Sequence, residues 1–62
     1  MMLNEVVVGK SYAVRMPDEA DVVMRALSVE TCKNRVYLRD PVTGRIRAMH
    51  ADRLRDVPVA AN

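Results

Sequence analysis

Apolar and polar residues alternate along much of the chain with a period of two, which is typical of half-buried β-strands. Residues 11–16 form the first such segment, with Tyr12, Val14 and Met16 on one face. Val22–Glu30 is a second, longer segment. Val22 and Met24 interrupt its alternation, which predicts a bulge near Arg25. One face of this segment is predicted to carry Val23, Arg25, Leu27 and Val29.

Two turn signals predict that the middle of the chain folds as consecutive hairpins. Residues 31–34 are a four-residue turn candidate, and residues 40–44 have proline early and glycine late. The pairing that brings apolar residues together places Leu27 opposite Leu38, and Leu38 opposite Ile46. It predicts a core that contains Val14, Leu27, Val29, Val36, Leu38 and Ile46.

The last part of the chain predicts one helical turn followed by a short strand. Residues 50–54 do not alternate, and residues 55–59 return to an extended pattern in which Pro58 favours an edge position. We therefore expect an all-β domain spanning residues 1–62, with frayed ends at residues 1–5 and 60–62. It would contain four to five short strands, with the helical turn before the last one.

Two segments resemble parts of SH3-like small barrels. The first, Val8-Gly9-Lys10-Ser11-Tyr12-Ala13-Val14, resembles the glycine turn and first strand of such barrels. The second, Ala51-Asp52-Arg53-Leu54-Arg55-Asp56-Val57, resembles the helical turn and strand that close them. The resemblance implies an SH3-like small barrel. That class includes SH3 domains, KOW and Tudor modules, DNA-binding proteins, plasmid-encoded dimerisation domains and a tetrameric reductase, so the fold alone does not set the function.

Charge is distributed unevenly along the chain. Residues 33–55 contain seven basic and two acidic residues, a local net charge of +5, whereas residues 1–32 have a net charge of −2. Asp56 contributes the remaining negative charge to the total of +2. So asymmetric a field can bias which partners approach the protein, but it does not by itself name the partner.

The predicted register collects the basic residues on one face of the β-hairpin. The candidate binding residues on this face are Arg35, Tyr37, Arg39, Arg45 and Arg47. Arg39 would face Arg45, and a phosphate backbone would relieve their repulsion while Tyr37 stacks on a base. Two alternatives remain: an acidic protein surface as the partner, or a merely solvated face on which Glu30 neutralises Arg35.

Several other sites are disfavoured by the residue types present. The grooves of SH3 domains and the cages of Tudor modules need several aromatic residues, and this chain has only Tyr12 and Tyr37. The clustered glycines of KOW modules are missing as well. Cys32 and His50 are too few for a structural zinc site. We interpret the acidic residues Asp18, Glu19 and Asp21 as solvated loop charges.

The sequence therefore predicts a small, non-enzymatic binding protein with no cofactor, metal or catalytic residues. Its expected partner is DNA or RNA. The alternative is a protein–protein interaction module, such as an adaptor or inhibitor of a host protein of the phage or plasmid accessory type. The free Cys32, and the lack of an export signal or membrane span, predict a cytoplasmic protein. The small core predicts homo-oligomerisation, with the apolar residues 6–8 available for it.

Overall fold

The computed structural model describes residues 1–17 and 20–57, and these form one sheet of five antiparallel strands in the order β4-β3-β2-β1-β5. The strands are β1 (Ser11–Val14), β2 (Val22–Glu30), β3 (Arg35–Arg39), β4 (Ile46–His50) and β5 (Leu54–Asp56). Short 3-10 turns occur at Leu3–Glu5, Thr31–Lys33 and Ala51–Arg53. The predicted all-β architecture is confirmed: five short antiparallel strands form one sheet consistent with a small barrel, with a 3-10 turn before the last strand. None of the described helices is long and apolar enough to cross a membrane.

The strand boundaries follow the alternation closely in the middle of the chain and less closely at its ends. β2 begins and ends where the pattern predicts, whereas β1 ends at Val14, two residues early. The last strand begins at Leu54 and is described only as far as Asp56; Pro58, Val59 and residues 60–62 lie outside the described residues. Residues 3–5, where we expected fraying, form a 3-10 turn in which Met2 N donates to Glu5 Oε1 at 2.8 Å.

The core lies on one face of the curved sheet. Its largest fully buried side chains are Tyr12, Val14, Met24, Val36, Leu38 and Leu54. The predicted core is confirmed for Val14, Val36 and Leu38, and Leu27 is half-buried. The prediction is wrong for Val29 and Ile46, which are 38% and 61% exposed.

A β-bulge explains the position of Leu27. The pairs Glu30–Arg35 and Ser28–Tyr37 form as predicted, but the register then shifts between Ala26 and Ser28. Ala26, rather than Leu27, therefore lies opposite Leu38 and is fully buried. The predicted bulge exists, two residues further along the chain than expected.

The N-terminal segment packs against the core and is fastened to it by hydrogen bonds. The Val7 N–H donates to the Tyr12 hydroxyl at 2.7 Å, and Gly9 N donates to the Ala26 carbonyl at 2.8 Å. Gly9 has a φ of +94°, a conformation that side-chain-bearing residues rarely adopt. The turn before β1 therefore requires glycine at this position.

Candidate nucleic-acid interface

The candidate interface is the outer face of the sheet, which we define as the face opposite the core. The antiparallel register arranges its side chains in rows that run across the strands. The first row contains Ser11, Arg25, Arg39 and Ile46. The second contains Ser28, Tyr37 and Ala48. The third contains Glu30, Arg35 and His50. The three arginines are exposed and the tyrosine is half-buried, so a partner can reach all four side chains.

Arg25 and Arg39 lie directly opposite each other on β2 and β3. Opposed residues in an antiparallel pair have Cα atoms roughly 5 Å apart, and like charges at that position destabilise the sheet. Neither arginine has a described carboxylate within 4.0 Å; the ion pairs among the described residues are Lys10–Asp56, at 3.4 Å, and Arg55–Asp21. The two positive charges are therefore not neutralised by the part of the fold that the structure describes.

A shallow pocket adjoins this arginine pair. Its lining residues are Ser11, Val23, Met24, Arg25, Arg39 and Pro41. This lining combines a serine and two arginines with three apolar residues. Guanidinium groups remain charged at any physiological pH and match the geometry of phosphate oxygens. The residue types at this pocket therefore suit an anionic oxygen group.

Arg35, in the third row, is not neutralised in the way that the solvated-face alternative requires. Glu30 lies opposite it in the register, yet no ion pair joins the two side chains. Instead, Glu30 Oε1 is buried and has no hydrogen-bond partner among the described residues. On the other side of Arg35, His50 Nδ1 lies 3.3 Å from Asn34 Nδ2. His50 is thus tied to the turn between β2 and β3.

The predicted register between β3 and β4 is wrong by one residue. Asp40 N donates to the Arg45 carbonyl at 2.9 Å, so these two residues close the loop instead of Arg39 and Arg45. Asp40 stabilises this shorter loop with two hydrogen bonds. Its side-chain Oδ1 accepts from Val42 N at 2.8 Å, and its backbone carbonyl accepts from Gly44 N at 2.8 Å. An aspartate that bonds to the backbone two residues ahead is a common turn device, and here it sets the register.

The corrected register divides the five candidate residues. Arg35, Tyr37 and Arg39 share the outer face as predicted, because they alternate along one strand. Arg47 lies opposite Leu38, on the other side of the sheet, and Arg45 precedes β4. The prediction that Arg45 and Arg47 join the other three on one face is therefore wrong.

Arg25 belongs to the candidate interface but was not predicted from the sequence. The sequence pattern predicted that Arg25 shares a face of the strand with Leu27 and Val29, because the bulge was expected near Arg25 itself. With the bulge after Ala26, Met24 and Ala26 point to the core and Arg25 points outward. The apolar character of Met24 and Ala26 at alternate positions was the signal that could have revealed this.

The other candidate residues lie away from the outer face or outside the residues that the structure describes. Cys32 is an exposed free thiol in the turn before β3. Asp21 pairs with Arg55, whereas Asp18 and Glu19 lie outside the described residues. Within residues 1–17 and 20–57, no three histidine, cysteine or acidic side chains come together in a way that could hold a metal ion.

Comparisons of the chain with protein-family models, with curated proteins and with solved structures find no match.

Proposed function

We propose that this protein is a non-enzymatic binding protein that contacts nucleic acid through the outer face of the sheet. The observation that carries the proposal is the pair Arg25 and Arg39, which are opposed, exposed and without a described acidic partner. A sheet that served only as a scaffold would gain stability from an acid at either position. Phosphate groups would supply that negative charge on binding and release counterions.

The rows of the outer face suit a backbone that carries a regular series of phosphates. Side chains two positions apart on a strand are roughly 7 Å apart, so Tyr37 stands about that distance from both Arg35 and Arg39. A base stacked on the Tyr37 ring would leave its neighbouring phosphates within reach of the two arginines. Base–aromatic stacking favours unpaired bases, which makes single-stranded segments the preferred form.

The proposal includes a cytoplasmic location. Nucleic acid is available in that compartment, and its reducing conditions would keep the exposed thiol of Cys32 free.

The stacking residue gives the most specific test of the proposal. Tyr37→Ala should weaken the binding of a single-stranded oligonucleotide by roughly 1–3 kcal/mol, measured by fluorescence anisotropy, and should change duplex binding much less. Tyr37→Phe is the matched control, because it keeps the ring and removes only the hydroxyl, so it should bind nearly as well as the wild type.

Two outcomes would count against the proposal. Failure of the wild type to bind any single- or double-stranded oligonucleotide at low salt would eliminate it and favour the protein-interaction alternative. Equal losses in Tyr37→Ala and Tyr37→Phe would show that the ring does not stack on a base.

A further inference from the structure

Within residues 1–17 and 20–57, β4 is an edge strand that pairs only with β3, so one side of its backbone is open to the extent that the structure describes it. Hydrogen-bonding groups in an antiparallel strand point alternately to the two sides. The bond from Asp40 N to the Arg45 carbonyl shows that Arg45 points its backbone groups toward β3, and by alternation Arg47 and Met49 do the same. The backbone groups of Ile46, Ala48 and His50 therefore point away from the sheet.

The side chains of β4 differ between its two faces. Ile46 and Ala48 lie on the outer face, and Ile46 is 61% exposed despite its apolar character. Arg47 lies on the opposite face and is exposed, with no described carboxylate within 4.0 Å. Arg45, just before the strand, is likewise exposed and unpaired among the described residues. A shallow depression beside the loop is lined by Asp40, Thr43, Arg45, Ile46 and Arg47.

We propose that the free edge of β4 binds an extended, acidic segment of another protein, which adds to the sheet as a sixth strand. The added backbone would pair with the outward groups of Ile46 and Ala48 and with the His50 N–H, because the His50 carbonyl belongs to the 3-10 turn at Ala51–Arg53. Its acidic side chains would lie beside Arg45 and Arg47, and its apolar side chains beside Ile46 and Ala48. The recognised segment therefore alternates acidic and apolar residues, since neighbouring strands place facing residues on the same side.

Charge complementarity favours this occupant over a second copy of the chain. The β4 segment of another copy contains no acid and carries its own Arg47, and pairing would bring together two regions of net charge +5. A charged side chain on an edge strand is a common protection against such self-pairing. Arg47 attracts an added strand that is acidic and repels one that is basic. It therefore discriminates between the two kinds of strand.

This inference does not depend on the proposed nucleic-acid function. It uses the edge of the sheet and the side chains of Arg45 and Arg47. Nucleic-acid binding uses Arg25, Arg35 and Arg39 on the outer face. A phosphate backbone at the edge could pair with Arg47, but it could not continue the ladder of backbone hydrogen bonds.

Amide hydrogen exchange, measured by NMR, tests strand addition directly. The probe is a blocked peptide that alternates glutamate and valine over seven residues. At saturation it should slow the exchange of the Ile46 and Ala48 amides by about tenfold or more, since these N–H groups become hydrogen-bonded. The Arg47 and Met49 amides, already bonded to β3, should change little. A peptide of the same composition with its glutamates and valines in separate blocks should bind more weakly.

Two variants make the test specific. Ala48→Pro removes one outward N–H without removing a bond to β3, so it should fold and lose most of the peptide affinity. Ala48→Val keeps the N–H and is the matched control. Arg47→Glu serves as a second, independent variant, and it should abolish binding of the acidic peptide while accepting the corresponding lysine–valine peptide.

Several results would overturn the inference. They are peptide binding without protection of the Ile46 and Ala48 amides, equal binding by Ala48→Pro and Ala48→Val, and no binding by the wild type at low salt. Protection of the same amides in the protein alone, growing with its concentration, would show that a second copy occupies the edge.

Discussion

At the scale of single residues, the opposed pair Arg25 and Arg39 would link stability to the proposed binding of nucleic acid. Arg25→Glu replaces a repulsive pair with an attractive one, so the free energy of unfolding should rise by about 0.5–1 kcal/mol. Affinity for a single-stranded oligonucleotide should fall, because a phosphate contact is lost and a negative charge is added. Thermal unfolding and anisotropy titration of the same sample would measure both effects. The matched control is Arg53→Glu, which makes the same change of charge in the last 3-10 turn, away from Arg25 and Arg39. A variant of Arg25 that is less stable than the wild type would contradict the repulsion.

The different burial of Leu38 and Ile46 gives a second prediction for single residues. Leu38 is fully buried, so Leu38→Ala should lower the free energy of unfolding by roughly 2–5 kcal/mol, which would unfold much of so small a domain. Ile46→Ala removes a similar apolar group from an exposed site and should cost less than about 0.5 kcal/mol. Urea denaturation of both variants is the measurement. Similar losses for the two would mean that Ile46 is buried as the sequence pattern suggests.

At the scale of strands and turns, the alternation along β3 was predicted correctly, whereas the pairing between β3 and β4 was not. Arg35, Tyr37 and Arg39 were assigned to one face from the period of β3 alone, and the structure places them together. Arg45 and Arg47 were assigned through a register, and they lie elsewhere. A shift of one residue moves every side chain of a strand to the other face, so a small error in loop length changed the predicted site.

The cause of each error is local. The second hairpin is set by the hydrogen bonds of Asp40, whose side chain closes a shorter loop than maximal apolar pairing would choose. The cost is that Ile46 is exposed and Leu38 faces Arg47. Arg25 was misplaced because the bulge was predicted near it, although the apolar residues at positions 24 and 26 fit a bulge after Ala26. The outline of the fold did not depend on either detail.

At the scale of the whole molecule, homodimerisation stays a prediction, and the exposed apolar residues near the N-terminus are its proposed contact surface. Val7 and Val8 are 58% and 55% exposed, and the core of a chain this short gives limited stability. Light scattering at micromolar concentration should give twice the chain mass of 7.0 kDa. Val7→Lys with Val8→Lys should give the monomer mass, because two added charges would oppose burial. A wild-type monomer with a high melting temperature would contradict the prediction.

The central claim, that the outer face binds nucleic acid, is tested most directly by the salt dependence of oligonucleotide affinity. Each phosphate neutralised on a single strand contributes about −0.7 to the slope of log K against log salt, so contacts from Arg25, Arg35 and Arg39 predict a slope of about −2. Changing Arg25 and Arg39 to Gln together should flatten the slope to about −0.7. The matched double variant at Arg45 and Arg47 loses the same charge but should keep the slope of the wild type. A slope that flattens in the Arg45 and Arg47 variant and stays unchanged in the Arg25 and Arg39 variant would contradict the account.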